Sequence, residues 1–280
     1  MKKFIKPLLT GIVVTLVMVL VMLKVTMDFQ LLLFIGAVIF FIAGLINSDT
    51  RIHYLLATFI ITIIYLLLFI LLVLEQLPLW YFVPIYFALA LLGILYKRHK
   101  QKIITSLLLS TALLFFLAIK IIPTDLENSL TQTRFEQMPP FSIKEMSGNV
   151  LDSKTLKGKV VILDFFGTWC KPCIAELKEL DKIQRTIKDD KDVVFYVIDA
   201  DYGNDSPEKF KAFIDKHNYK FKYAYDYDSK IFKLFKLHKL GIPVTLIIDK
   251  EQNIRLQHVG YNPAETNFSE NMIKTINSLK

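Results

Sequence analysis

Cys170 and Cys173 are the only two thiols in 280 residues, and they share a single C-x-x-C within Trp169-Cys170-Lys171-Pro172-Cys173. Two cysteines this close can pass a disulfide to and from a partner, with the outer sulfur attacking and the inner one resolving the mixed disulfide. The apolar run Val160–Phe166 reads as a buried strand, and Ile174–Lys188 carries apolar residues at 174, 177, 180, 183 and 187, one face of a helix. A strand running into the motif and a helix leaving it put Cys170 at a helix N-terminus. There, unpaired amide groups and the helix dipole favour an anion, so Cys170 is expected to be the attacking thiolate. Cys173, one turn further in, is expected to resolve, and Pro172 suits the first helical turn, where its missing N–H is not needed. Two other uses of such a pair fit these residues less well. Zinc needs four ligands, and His217, His238 and His258 match no finger or ribbon spacing. A purely structural bridge across two residues closes too small a loop to give much entropic stabilisation.

The elements around the motif read as an α/β domain. Phe141–Lys144 is a short strand candidate, Gly148-Asn149 a turn, Val193–Ile198 a second apolar strand, and Pro207–His217 and Ile231–Leu237 helices. Val244–Ile248 and Asn253–Val259 read as an antiparallel pair, and Pro263–Leu279 as a terminal helix. This order predicts a central mixed sheet flanked by helices on both faces. Asp164 stands out because it lies inside the apolar strand, where an unpaired carboxylate is costly and tends to be neutral or functional.

Residues from about 137 to 279 resemble the TlpA/ResA branch of membrane-attached thioredoxin-like proteins. The matching stretches are Met138-Pro139-Pro140-Phe141, Leu156-Lys157-Gly158-Lys159-Val160-Val161, Asp164-Phe165-Phe166-Gly167-Thr168-Trp169-Cys170-Lys171-Pro172-Cys173 and Gly241-Ile242-Pro243-Val244-Thr245. The resemblance covers about half of the chain and implies a thioredoxin-like fold for residues 137–280. It also implies a cis Ile242–Pro243 bond facing the disulfide, proton transfer at Cys173 by Asp164, and a part for Glu176 in setting the cysteine pKa values. For Glu176 the other reading is an ordinary solvated helix residue. The chain departs from the pattern at Phe166, where tryptophan is common, and at Asp249–Asn253, which lacks the usual hairpin glycine.

The first half is of another kind. The chain is 53% hydrophobic, and residues 1–123 hold 10 Lys/Arg against 3 Asp/Glu, whereas residues 124–280 hold 24 against 23. Spans are expected at about 7–25, 29–46, 54–74, 77–96 and 103–121. Their charge-free cores, Pro7–Leu23, Phe29–Ile46, Tyr54–Leu74, Leu77–Tyr96 and Ile103–Ile119, are 17–21 residues long and match a hydrocarbon layer of about 30 Å. The first run has the ingredients of a cleaved signal, but it is long for one and no small-residue cleavage site follows, so it is read as a helix. Residues 1–122 thus read as an all-α membrane domain of five transmembrane helices and 123–136 as a tether, within a polar stretch from Pro123 to Met138 that ends at Pro139-Pro140. The basic residues lie between the apolar runs, which argues against a nucleic-acid surface. Lys2, Lys3, Lys6, Arg51, Lys97, Arg98, Lys100 and Lys102 fall on one side, Lys24 and Lys120 on the other. Positive loops stay in the cytoplasm, so the N-terminus is expected inside and the C-terminal domain outside the cytoplasmic membrane, on the oxidising side. Asp28, Asp49, Glu75, His53 and His99 all fall at span ends. A haem or metal role for the two histidines competes with the reading of interfacial residues. Pro78 and Pro84 are expected to shape the fourth helix.

The expected activity is therefore that of an extracytoplasmic thiol-disulfide oxidoreductase that needs no cofactor and reduces disulfides of envelope proteins. The membrane half has no cysteine, so a separate membrane thiol donor of the DsbD/CcdA kind is implied. A client such as apocytochrome c, hence a part in cytochrome c maturation, is suggested by the resemblance alone. The alternatives are a disulfide oxidase or isomerase, since direction depends on potential, and a membrane redox sensor or binding protein.

Overall fold

A computed structural model describes residues 2–71, 79–96, 99–201, 203 and 205–280. They form two units, Met1–Ser129 and Leu130–Lys280. The first contains helices α1 (Lys2–Lys24), α2 (Phe29–Ile46), α3 (Tyr54–Phe69), α4 (Phe82–Leu95) and α5 (Lys100–Phe116). A π-helical turn at Leu117–Ile121 then leads into α6 (Ile122–Leu130).

Small residues set the packing in this unit, as they do where lipid removes any hydrophobic drive between helices. A Cβ on Gly93 of α4 would lie 2.9 Å from the Cα of Gly44 on α2. Gly36 leaves room for Tyr86, whose hydroxyl donates to the Leu32 carbonyl at 2.8 Å and whose ring stacks on Phe40 at 4.9 Å. Outward-facing Leu9, Val13, Leu16 and Leu20 are all more than half exposed, a surface that water would not tolerate and lipid would cover. Phe4–Lys24, Phe29–Ile46 and Lys100–Leu130 are long and apolar enough to cross a membrane. α3 and α4 have 16 and 14 residues, about 24 and 21 Å of helix. The runs expected at 54–74 and 77–96 extend into residues 72–78, which lie outside the described residues, as do Glu75, Pro78, Lys97 and Arg98. These apolar helices suggest a membrane anchor. Lys6 pairs with Asp49 at 2.5 Å, both exposed. His53 and His99 occupy the N-cap positions of α3 and α5, and Pro84 sits in the first turn of α4, where a missing N–H costs nothing.

In the second unit a six-stranded sheet runs β1-β8-β7-β4-β5-β6. Its strands are β1 (Thr131–Gln137), β4 (Val160–Phe166), β5 (Val193–Asp199), β6 (Lys222–Tyr225), β7 (Val244–Ile248) and β8 (Asn253–Val259), while β2 (Ser142–Lys144) and β3 (Val150–Asp152) form a separate hairpin. β4 pairs parallel with β5 and antiparallel with β7, so all seven of its residues are buried. That is why its sequence is an unbroken β-branched and aromatic run. On one face lie α7 (Lys171–Ile187), α8 (Pro207–His217) and α10 (Phe268–Ser278), joined through Leu177, Phe210 and Met272. On the other, Phe141, Phe232 and Phe235 close the core beside α9 (Lys230–Leu234). The central mixed sheet flanked by helices is the expected architecture.

The tether expected at 123–136 is a correction. The chain there is α6 followed by β1, which pairs with β8 from Thr131↔His258 to Gln137↔Asn253. β1 is an edge strand with most side chains exposed, so ladder hydrogen bonds rather than an apolar pattern hold it, and its composition imitates a linker. The C-terminal unit consequently begins near Leu130 rather than residue 137. β6 was not anticipated either.

Candidate functional site

The backbone turns out of β4 through Gly167-Thr168-Trp169, and Cys170 becomes the N-cap of α7 with extended dihedrals. The amide of Cys173 points at Cys170 Sγ, 3.2 Å away, and Pro172 lies in the first helical turn. Cys170 and Cys173 are joined as a disulfide. Cys173 is 1% exposed and Cys170 4%, whereas Trp169 beside them is 46% exposed and Lys171 is exposed. A partner must therefore approach over Trp169 and meet Cys170 first. The Ile242–Pro243 bond is cis, and the Ile242 carbonyl oxygen lies 3.7 Å from Cys170 Sγ. The loop before β7 thus presents a backbone acceptor directly beside the outer sulfur.

Behind the disulfide are two buried carboxyls. Asp164 is 0% and Glu176 1% exposed. Glu176 falls on the buried face of α7 with Cys173, Leu177 and Leu180, so the solvated reading of this residue does not hold. Thr245 of β7 connects the two acids. Its hydroxyl lies 2.9 Å from Asp164 Oδ1 and 3.3 Å from Glu176 Oε1, and having one proton it donates to one at a time. Asp164 Oδ2 and Glu176 Oε2 have no hydrogen-bond partner. Burial pushes Asp164 up to about 7, with the Thr245 hydrogen bond opposing. Burial likewise holds Glu176 well above the usual carboxylate range, and the neighbouring Asp164 and Glu265 charges add to the effect. Two acids poised to keep a proton near neutral pH are suited to exchanging it with a sulfur that alternates between thiolate and thiol.

The turn before Cys170 is held from the end of the sheet. Asp205 Oδ2 accepts from the Thr168 amide at 2.8 Å and its Oδ1 accepts from the Thr168 hydroxyl. Asp199, at the end of β5, is pushed up to about 8 by burial, with the Asp205 and Asp201 charges contributing. Asp205→Ala would leave a half-buried amide unpaired, at about 1–2 kcal/mol. The expected result is a lower unfolding midpoint and faster hydrogen exchange at the Thr168 amide, and unchanged exchange there would show that the loop is held otherwise.

Sequence reasoning singled out the sulfurs, Asp164, Glu176 and the Ile242-Pro243 pair, and the structure brings all of them together. It missed Thr245 and Asp205. Thr245 carried a signal: a hydroxyl two residues beyond Pro243 in an otherwise apolar strand, in register with Asp164 once β7 pairs with β4. Asp205 carried none, since its partner is 37 residues away.

Residues 135–257 match the AhpC/TSA family. The thiol-disulfide oxidoreductase ResA of Bacillus anthracis is 32% identical over 130 residues, 46% of this chain and 72% of that protein. The thioredoxin-like protein YneN of Bacillus subtilis (strain 168) is 32% identical over 125 residues, 45% of this chain and 71% of that one. The exposed lipoprotein thioredoxin Etrx1 of Streptococcus pneumoniae strain TIGR4 is a solved structure with 25% identity and a TM-score of 0.43, covering 50% of this chain and all of that one. With its mixed sheet and its Cys170–Cys173 pair at a helix N-terminus, the chain belongs to the ResA-like thiol-disulfide oxidoreductases of thioredoxin-like fold.

Proposed function

We propose that the chain is anchored in the cytoplasmic membrane by five spans and reduces disulfides of envelope proteins on the outer side. The observation that carries the chemistry is the Cys173 amide aimed at Cys170 Sγ, which stabilises a thiolate there once the disulfide is reduced. Cys170 attacks a client disulfide, forming a Cys170–client S–S bond while the client's other sulfur leaves as a thiolate. Cys173 then gives its proton to the Asp164/Glu176 pair and attacks Cys170, releasing the second client sulfur and closing the Cys170–Cys173 bond. Trp169, Lys171 and the Ile242 backbone present the surface along which the client segment lies. Both thiols of the chain are spent in one turnover. Two electrons must return from a separate membrane dithiol donor of the DsbD/CcdA kind.

The outward placement is supported by the bias of Lys and Arg to alternate sides of an odd number of apolar runs. It is also supported by the need for disulfide-bearing clients, which the oxidising side supplies. The direction is tested by equilibrating the purified full chain with glutathione. A potential below about −200 mV is expected, and a value near the ~−120 mV of a strong oxidant would make the chain an oxidase instead. In intact cells a membrane-impermeant maleimide should label Cys170 after mild reduction; labelling only after lysis would reverse the topology.

A further inference from the structure

The two acids behind Cys173 do not end the buried polar structure. Asp164, Thr245, His258 and Thr131 are lateral partners in the ladder, Asp164↔Thr245, Thr245↔His258 and His258↔Thr131, on four adjacent strands. They form one polar row on the sheet face that packs against α7 and α10, about 14 Å from β4 to the edge strand. His258 is 1% exposed and Glu265, in the turn before α10, 5%. His258 Nε2 lies 3.2 Å from Glu265 Oε2, within ion-pair distance but not aligned as a hydrogen bond. Its Nδ1 is 2.8 Å from the hydroxyl of Thr131, a half-buried residue at the start of β1. Glu265 is fixed by accepting the Asn262 amide at 2.8 Å, and it is near enough to Glu176 to oppose its ionisation. Glu265 is the titratable group set against His258, and Asp164 stands two strands away in the same row. β7, β1 and α10 contribute Thr245, Thr131 and Phe268, and Tyr261 packs on the same Phe268 ring. Three buried carboxyls and an imidazole are costly where apolar residues would fill the space without penalty.

We propose that Glu265 and His258 form the outer half of a buried proton path joining the carboxyls behind Cys173 to solvent at the edge strand β1. The inference rests on the exchange chemistry above. When a donor thiolate attacks Cys170, the Cys170–Cys173 bond breaks, a donor–Cys170 bond forms, and Cys173 leaves with the electron pair as a thiolate. That thiolate takes a proton from Glu176 or Asp164. The donor thiol has released its own proton to water, and the emptied carboxylate regains one from water by way of Thr131, His258 and Glu265. The donor's second thiolate then attacks the donor sulfur bonded to Cys170, closing the donor's own disulfide and releasing Cys170 as a thiolate; of the two protons the donor gives to water, one returns to Cys173 by this path and the other stays in water while Cys170 remains a thiolate. During oxidation by a client the path runs outward. His258 and Glu265 touch neither sulfur; they are positioning residues that act through Glu176.

The test measures reduction of the full chain in detergent micelles by dithiothreitol from pH 5.5 to 9, corrected for the thiolate fraction of the reagent. His258→Gln, which keeps a partner for Thr131 but cannot carry the proton, is expected to slow reduction at least about tenfold near neutral pH and to remove the inflection of the wild-type profile. Glu265→Gln should do the same. Variant profiles that superimpose on the wild type overturn the path while leaving the exchange reading intact; a wild-type chain inert to the dithiol overturns the exchange reading and the path with it. Should the variants not fold, redox-difference infrared spectra are taken on a chain in which His53, His99, His217 and His238 are glutamine. An imidazole change accompanying the carboxyl change supports the path, and a carboxyl change without one overturns it.

Discussion

Replacing Cys173 with alanine is expected to abolish turnover, by at least about a thousandfold, and to leave Cys170 covalently joined to its partner. The amide that holds Cys170 as a thiolate is a backbone group and survives the substitution, so attack on a client disulfide still forms the mixed disulfide. Only the neighbouring sulfur can cleave it at useful speed, because Cys173 sits one helical turn away inside the protein and its reaction is intramolecular. Adducts released by dithiothreitol and absent from the Cys170→Ala chain should therefore accumulate, and mass spectrometry of them would name the client. Undiminished turnover in Cys173→Ala would remove the resolving role from this residue.

Replacing Asp164 with asparagine is expected to stabilise the C-terminal unit at pH 8 while slowing exchange. The acid is fully buried and its pKa is raised from 3.8 to about 7, so the folded protein holds a proton that the unfolded chain gives up. Stability from this group is complete below about pH 4 and is lost as pH rises toward 7, by about 1.4 kcal/mol per pH unit within that window. Asparagine keeps an acceptor for Thr245 and has no proton to lose. The melting midpoint at pH 8 should rise by several degrees, a few kcal/mol spread over a domain of this size, with little change at pH 4. Part of the slope will remain, because Glu176 still titrates nearby. Exchange at neutral pH should fall by about a hundredfold or less, since Glu176 is a second acid behind Cys173. An unchanged midpoint at pH 8 would mean that the fold does not raise the pKa of Asp164.

Taken together, the two outcomes describe a site that holds a destabilising acid for the sake of its chemistry. Such exchanges of stability for function are ordinary where a buried group must titrate near the working pH.

Much of this was legible in the residues alone. Cys170, Pro172 and Cys173 define a helix start because an N-cap, a first-turn proline and an inward residue each require a particular place in the first turn. Val160–Phe166 could only be a strand buried on both faces, and α8 spans the residues expected, Pro207–His217. Apolar length alone marked the first half for a membrane. The tertiary structure decided what depends on pairing between distant segments. Thr131–Gln137 is a strand only because β8 offers it an edge, and no local pattern could distinguish it from a tether. Glu176 is buried only because α7 lies on the sheet with that face turned inward. His258, which matches no zinc-ligand spacing in the sequence, is part of a polar row because three independent strand registers align it with Thr245, Asp164 and Thr131. Side-chain type and spacing specify what a residue can do locally, whereas the company a buried charge keeps is set by which strands lie side by side.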